Sequence, residues 1–114
     1  MARIGSVVLN VTDLGRAATF WRGALGYVPR AGGDLGALVP PSGEGPALLL
    51  DETDMTHLDL HVGSEQEQRA EVGRLIALGA QRVDWVYPED ANFVVLADTE
   101  GNRFCVVNTE GGRV

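Results

Sequence analysis

Only one of the 114 residues is a cysteine, Cys105, so the chain can close no internal disulfide. It must hold its fold by core burial. No apolar run comes near the roughly 20 residues that cross a bilayer, which argues against a membrane-spanning role. Basic residues are few: 9 Lys and Arg against 16 Asp and Glu, a formal charge of −7. Nucleic-acid phosphates demand a basic patch, so a nucleic-acid partner is not expected. The acidity suits a neutral or cationic small ligand, and it equally suits solubility alone. The opening Met-Ala-Arg-Ile-Gly lacks a secretory apolar segment, and cytoplasmic residence is the expectation.

What the chain does have is one pattern stated twice. Ser6-Val7-Val8-Leu9-Asn10-Val11 reads as a strand, and a helical stretch ending in Ala24-Leu25-Gly26 follows it. His57-Leu58-Asp59-Leu60-His61-Val62 repeats the strand, and a second helical stretch ends in Ala77-Leu78-Gly79. His57 stands 51 positions after Ser6, and Gly79 stands 53 after Gly26. Such self-similarity marks a duplicated module. A chain of this length buries about two-thirds of its unfolded surface, enough for one domain.

The local signals fill in each copy. Thr12 or Asp13 can cap the first helix, whose apolar stripe is Leu14, Ala17, Ala18, Trp21 and Leu25. Gly26 stops it. Short strands are expected over 27–30, 35–39 and 47–51, with the Pro- and Gly-rich loop 40–46 between the last two. In the second copy, Gly63 or Ser64 begins a helix whose buried stripe is Val72, Leu75, Ile76 and Leu78. Strands follow over 81–87, 92–97 and 103–108. Asp98-Thr99-Glu100-Gly101-Asn102 forms a tight turn, and 110–114 a frayed tail. Module one thus covers 3–51, a linker 52–56, and module two 57–109. Each reads strand, helix, strand, strand, strand, an α+β class.

These residues resemble a known family. Val8-Leu9-Asn10-Val11-Thr12-Asp13-Leu14, Phe20-Trp21, Ala24-Leu25-Gly26-Tyr27, the His57–Val62 strand and the closing run from Leu96 to Val107 are similar to motifs of the vicinal oxygen chelate superfamily. That group contains glyoxalase I, bleomycin-resistance proteins and extradiol dioxygenases. Thr99 stands where the family's closing turn usually has proline. The resemblance implies a single glyoxalase-like domain over 1–114: two βαβββ modules forming a cup-shaped mixed sheet with helices on the outer face. It also implies a homodimer.

Metal-dependent members hold a divalent ion with His, Gln or Glu on the first and last strand of each module. Carried over, those positions fall on Ser6, Leu50, His57 and Cys105. Only His57 is a ligand of the usual type, and Cys105 suits only a soft metal. Asp51 lies one residue away from Leu50, on the opposite face by strand alternation. His57, Asp59 and His61 share one face of one strand, but same-face neighbours sit about 6.5–7 Å apart, too far for one ion to gather all three. No metal or other cofactor is therefore expected.

Alternation places Ser6, Val8, Asn10, Leu48, Leu50, His57, Asp59, His61, Arg103, Cys105 and Val107 on the face away from the helices. Apolar walls with a few polar groups suit a small organic ligand. Asp59 between two histidines could orient a ligand, act in acid–base chemistry, or form a structural hydrogen bond. Trp85 and Tyr87, with Phe93 nearby, could stack on a flat or cationic guest or belong to the core or a dimer interface. Three functions stay open: a metal-independent small-molecule binder, a metal-dependent lyase, isomerase or dioxygenase, and a regulatory domain. No catalytic residue is assigned.

Overall fold

The structure, a computed structural model, describes residues 1–110. The expected tail falls outside the described residues except for Glu110, whose N–H donates to Asn108 Oδ1 at 2.8 Å. The chain divides into two compact units, residues 5–57 and residues 1–4 together with 58–110, and each holds one βαβββ module apart from the boundary residues Arg3, Ile4 and His57.

The first unit contains β1 (Arg3–Asn10), α1 (Leu14–Leu25), β2 (Val28–Pro29), β3 (Ala37–Val39) and β4 (Ala47–Asp51). β1 pairs with β4 in parallel, β4 with β3 and β3 with β2 antiparallel. Asp13 is the helix cap, accepting the Arg16 N–H at 3.0 Å. Gly26, at φ 72°, ends the helix in the left-handed region that glycine tolerates best. Buried Ala18, Leu38, Leu48 and Leu50 form the core, flanked by Val7, Leu9, Leu14 and Trp21. Trp21 is therefore a core residue, as its place on the helix stripe predicts.

The expected strand over 35–39 begins only at Ala37. Gly36 is why. Its carbonyl accepts the Leu50 N–H at 2.8 Å, and a Cβ there would lie 2.6 Å from Leu50 O and 2.9 Å from Leu14 Cδ1. The backbone passes too close to its neighbours for any side chain.

The second unit repeats the plan with β5 (His57–Val62), α2 (Glu65–Ala77), β6 (Gln81–Arg82), β7 (Phe93–Ala97) and β8 (Arg103–Asn108). β5 pairs with β8 in parallel, β8 with β7 and β7 with β6 antiparallel. The strand pattern within each unit is thus the same, as duplication demands. Together the two βαβββ units make an α+β fold with mixed sheet pairing. Ser64 caps α2 by accepting the Glu67 N–H at 3.1 Å, while Glu67 reaches back to the Gly63 N–H at 3.2 Å. Buried Val62, Val72, Leu96 and Val106 form this unit's core.

Two expectations fail in this unit. Of the expected α2 stripe, Val72 and Leu75 do face the core, but Ile76 is 38% exposed and Leu78 67%. Gln68 and Glu71 turn inward with them in place of Ile76 and Leu78. Gln68 Nε2 donates to Asn92 O and Val106 O at 3.0 and 2.9 Å. Glu71 accepts the Ala2 N–H at 2.8 Å and two bonds from Arg74 at 2.7 and 2.8 Å. Burial of polar groups is tolerable because each finds partners.

The strand expected over 81–87 stops at Arg82. Val83 N–H still donates to Val95 O at 3.2 Å, but the next ladder position is taken by a side chain. Tyr87 Oη accepts the Val95 N–H at 2.8 Å. The phenol stands in for a strand and lets residues 83–92 leave the sheet edge with that N–H satisfied.

Candidate functional site

Each unit's helix covers one face of its strands, so side chains of opposite parity rise on the helix-free face. In the first unit the register pairs Ser6 with Ala47, Val8 with Leu49 and Asn10 with Asp51. Val7 and Leu9 pair with Leu48 and Leu50 and join them against α1. This corrects the placement of Leu48 and Leu50: both are core residues beneath the helix, and Ala47, Leu49 and Asp51 share the face with Ser6, Val8 and Asn10. The last-strand position equivalent to Cys105 is therefore Leu49, which has no donor atom. Asp51 does share that face. Its Oδ1, however, accepts Thr53 N–H, Thr53 Oγ1–H and Asp54 N–H at 2.7, 2.9 and 2.8 Å. Those bonds, the Thr53 N–H first, hold its carboxyl below the usual range and tie it to the turn that follows. Asn10 serves the same turn, donating its N–H to the Thr56 hydroxyl oxygen at 3.1 Å and its Nδ2 to Asp51 O at 3.3 Å.

The second unit keeps its expected parity. Leu58, Leu60 and Val62 alternate with His57, Asp59 and His61 along β5, and Val62 lies in the helix-side core. Asp59 pairs with Cys105 and His61 with Val107 on β8. Arg103 lies two residues before Cys105, opposite Ala97 of β7, and Val95 lies opposite Cys105. Buried Val95 and Val107 give this face an apolar floor, and half-buried His57, Asp59, Arg103 and Cys105 stand on it.

His57, Asp59 and Cys105 converge. One donor atom from each lies within 4.8 Å of the others. Among the described residues this is the set of three or more His, Cys, Asp and Glu side chains that come together in this way, and His61 is not in it. The third corner comes from the neighbouring strand rather than from further along the same one. Strands sit about 4.8 Å apart, closer than two steps along a strand. His57 Nδ1 contacts Met55 O at 2.7 Å. A carbonyl oxygen only accepts, so Nδ1 is the donor in this contact.

Trp85 belongs to the irregular segment 83–92, so strand alternation with Tyr87 does not apply to it. It nevertheless meets the site: the Arg103 guanidinium lies over its ring, 5.3 Å from the centroid. Tyr87 turns instead to Phe93, with ring centroids 5.5 Å apart. At the rim, Asp98 accepts the N–H groups of Glu100 and Asn102, both at 2.8 Å, and the Asn102 side-chain amide at 3.0 Å. Asp98 and Asn102 are thus turn formers, as expected. Sequence reasoning had no signal for Leu49, because residues 47–50 are apolar on both faces.

No curated relative matches the chain by sequence. Solved structures do. The chain is similar to hypothetical protein BH1468 from Bacillus halodurans, with 14% identity, 99% of this chain and 98% of that one covered, and a TM-score of 0.60. It is also similar to a glyoxalase/bleomycin resistance protein/dioxygenase family enzyme from Burkholderia phytofirmans, with 16% identity, coverage of 91% and 96%, and a TM-score of 0.41. A glyoxalase/bleomycin resistance protein from Albidiferax ferrireducens gives 17% identity, coverage of 89% and 93%, and a TM-score of 0.41. The first of these likenesses concerns the fold alone. The glyoxalase-like domain family matches residues 6–107, nearly the whole of both βαβββ units. The chain belongs to that family, and so to the vicinal oxygen chelate superfamily.

Proposed function

We propose that this protein binds a small organic molecule on the helix-free face of its second unit, without the divalent centre that its superfamily builds from both modules. One observation carries the reading. Polar His57, Asp59 and Arg103 stand with half-buried Cys105 over an apolar floor of Val95 and Val107, beside the partly exposed ring of Trp85. A mostly apolar surface with a few converging polar groups is what small ligands select.

The first unit offers Ser6, Val8 and Leu49 where a two-module centre needs donors, and Asp51 is spent on its turn. A hydroxyl and two alkyl chains do not fit a hard divalent ion, which takes oxygen ligands in a near-octahedral set. No catalytic step is derived through such a centre. The homodimer that the resemblance implies and the cytoplasmic residence expected from the sequence belong to this proposal. Sizing the purified protein in solution tests the dimer.

The binding test uses metal-stripped protein and a panel of flat aromatic compounds, neutral and cationic. A ligand that prefers the native state raises the melting temperature. The proposal expects such compounds, with Trp85→Ala reducing the shift. It fails if no compound stabilises the protein, or if stabilisation needs an added divalent ion.

A further inference from the structure

The chain leaves the sheet of the second unit after Val83, yet Trp85 still reaches Arg103 of β8. We propose that Tyr87 is the residue that positions it: the phenol oxygen pins the loop of Asp84, Trp85 and Val86 to β7 and so fixes the Trp85 ring on the ligand face. This deepens the small-molecule reading, and its bearing on a guest rests on that reading. Every residue involved belongs to the second unit.

Three observations converge. The first is the anchoring. Arg82 pairs with Leu96, so a continued ladder would set Val83 opposite Val95 and exchange two bonds between them. One of the two is made, from Val83 N–H to Val95 O at 3.2 Å. The Val95 N–H donates to Tyr87 Oη instead, at 2.8 Å. Two bonds to a single residue thus close a loop around Asp84, Trp85 and Val86. Trp85 is two residues from either anchor, so its Cα stays within about 7 Å of the Val83 and Tyr87 Cα atoms.

The second is the weakness of burial here. Val86 is 94% exposed and Trp85 39%, so apolar packing contributes little to the placement of the loop. The chain rejoins the β8 ladder at Asn92, whose carbonyl accepts the Asn108 N–H at 2.8 Å. The phenol bond splits this excursion and leaves Trp85 in the short part. The Tyr87 ring packs against Phe93, with centroids 5.5 Å apart.

The third is where the anchor sits. Val95 is buried and is the register partner of Cys105. Its backbone holds the loop while its side chain floors the site. Arg103, two residues before Cys105, lies 5.3 Å from the Trp85 ring centroid. A ring fixed before a guest arrives spares the cost of ordering it on binding. Tyr87 is therefore a positioning residue, acting on a guest through Trp85 rather than by contact.

The test labels the full-length protein with 5-fluorotryptophan. Its two tryptophans give two fluorine signals, and Trp85→Phe assigns them. Tyr87→Phe keeps the ring and removes the acceptor. Without ligand, it should move the Trp85 signal toward its urea-unfolded position and leave the Trp21 signal in place. It should also speed Val95 amide exchange about tenfold or more. Quinoline is the ligand probe. Its affinity should fall about threefold or more with Tyr87→Phe, and no further when Tyr87→Phe is added to Trp85→Ala. If quinoline does not bind the wild type, the small-molecule reading loses support, and the ligand-free signals decide the role of Tyr87 by themselves. The proposal is overturned by a Trp85 signal that Tyr87→Phe leaves in place, by movement of both tryptophan signals, by unchanged Val95 exchange, or by equal loss of quinoline binding with and without Trp85. If Tyr87→Phe folds poorly, the wild type decides: a Val95 amide that exchanges as slowly as that of Leu96 supports the proposal, and a freely exchanging one overturns it.

Discussion

Asp59 of β5 and Cys105 of β8 are register partners in a parallel strand pair, and the equivalent partners in the first unit are Val8 and Leu49. One architectural position thus holds two ionisable groups in one copy and two alkyl groups in the other. The duplication preserves the scaffold, while the ionisable pair is present in one half only.

That asymmetry gives the first prediction. The double variant Asp59→Val with Cys105→Leu copies the first unit's pair into the second. Aliphatic cross-strand neighbours suit a pleated surface, so its unfolding free energy should stay within about 1 kcal/mol of wild type. Denaturant melts of the double variant and the wild type check it.

Gly36 and Gly23 should respond to alanine in opposite ways. At Gly36 a Cβ meets Leu50 O at 2.6 Å, a backbone atom that cannot swing aside. Gly36→Ala should cost about 1–3 kcal/mol. Gly23 lies inside α1, and a methyl group there would meet nothing within 4 Å, so Gly23→Ala should stabilise by about 0.5–1 kcal/mol. Thermal unfolding of both variants decides.

The buried glutamine of α2 should matter more than the exposed leucine that caps the helix. Gln68→Ala strands the Asn92 and Val106 carbonyls and should cost about 1–3 kcal/mol. Leu78→Ala, at a site 67% exposed, should stay within about 0.5 kcal/mol. A urea series on the two variants gives the comparison.

Glu71 should show itself in acid. Arg74 and the Ala2 N–H hold its carboxyl down at about 2, against an ordinary 4.5. Because the folded value is the lower one, its stabilisation is complete above pH 4.5 and is lost as pH falls from 4.5 toward 2. Glu71→Gln should be less stable at neutral pH and lose less stability over that acid range. Stability measured from pH 7 to pH 2 tests the sign.

How much of this is legible in the chain depends on local contrast. His57-Leu58-Asp59-Leu60-His61-Val62 alternates cleanly between polar and apolar, so the faces of β5 follow from period two alone. Ala47-Leu48-Leu49-Leu50-Asp51 has no such contrast, and a one-residue slip reverses every side chain, so the sequence alone does not separate Leu48 and Leu50 from Leu49. Trp85, Val86 and Tyr87 are strong strand formers, yet the chain leaves the sheet there because the Tyr87 hydroxyl replaces a backbone acceptor. The inward stripe of α2 has helical spacing at Gln68, Glu71, Val72 and Leu75, but hydrophobicity conceals it because two of the four are polar. Convergence of His57, Asp59 and Cys105 needs the β5–β8 register, which no single segment encodes.

The central claim is that a small organic guest binds this face without the superfamily's divalent centre. The most direct measurement is the affinity of one stabilising aromatic compound, determined calorimetrically on metal-stripped protein with and without a chelator. The account expects the same dissociation constant in both and weaker binding by Trp85→Ala. Affinity that arises only when a divalent ion is restored would contradict it.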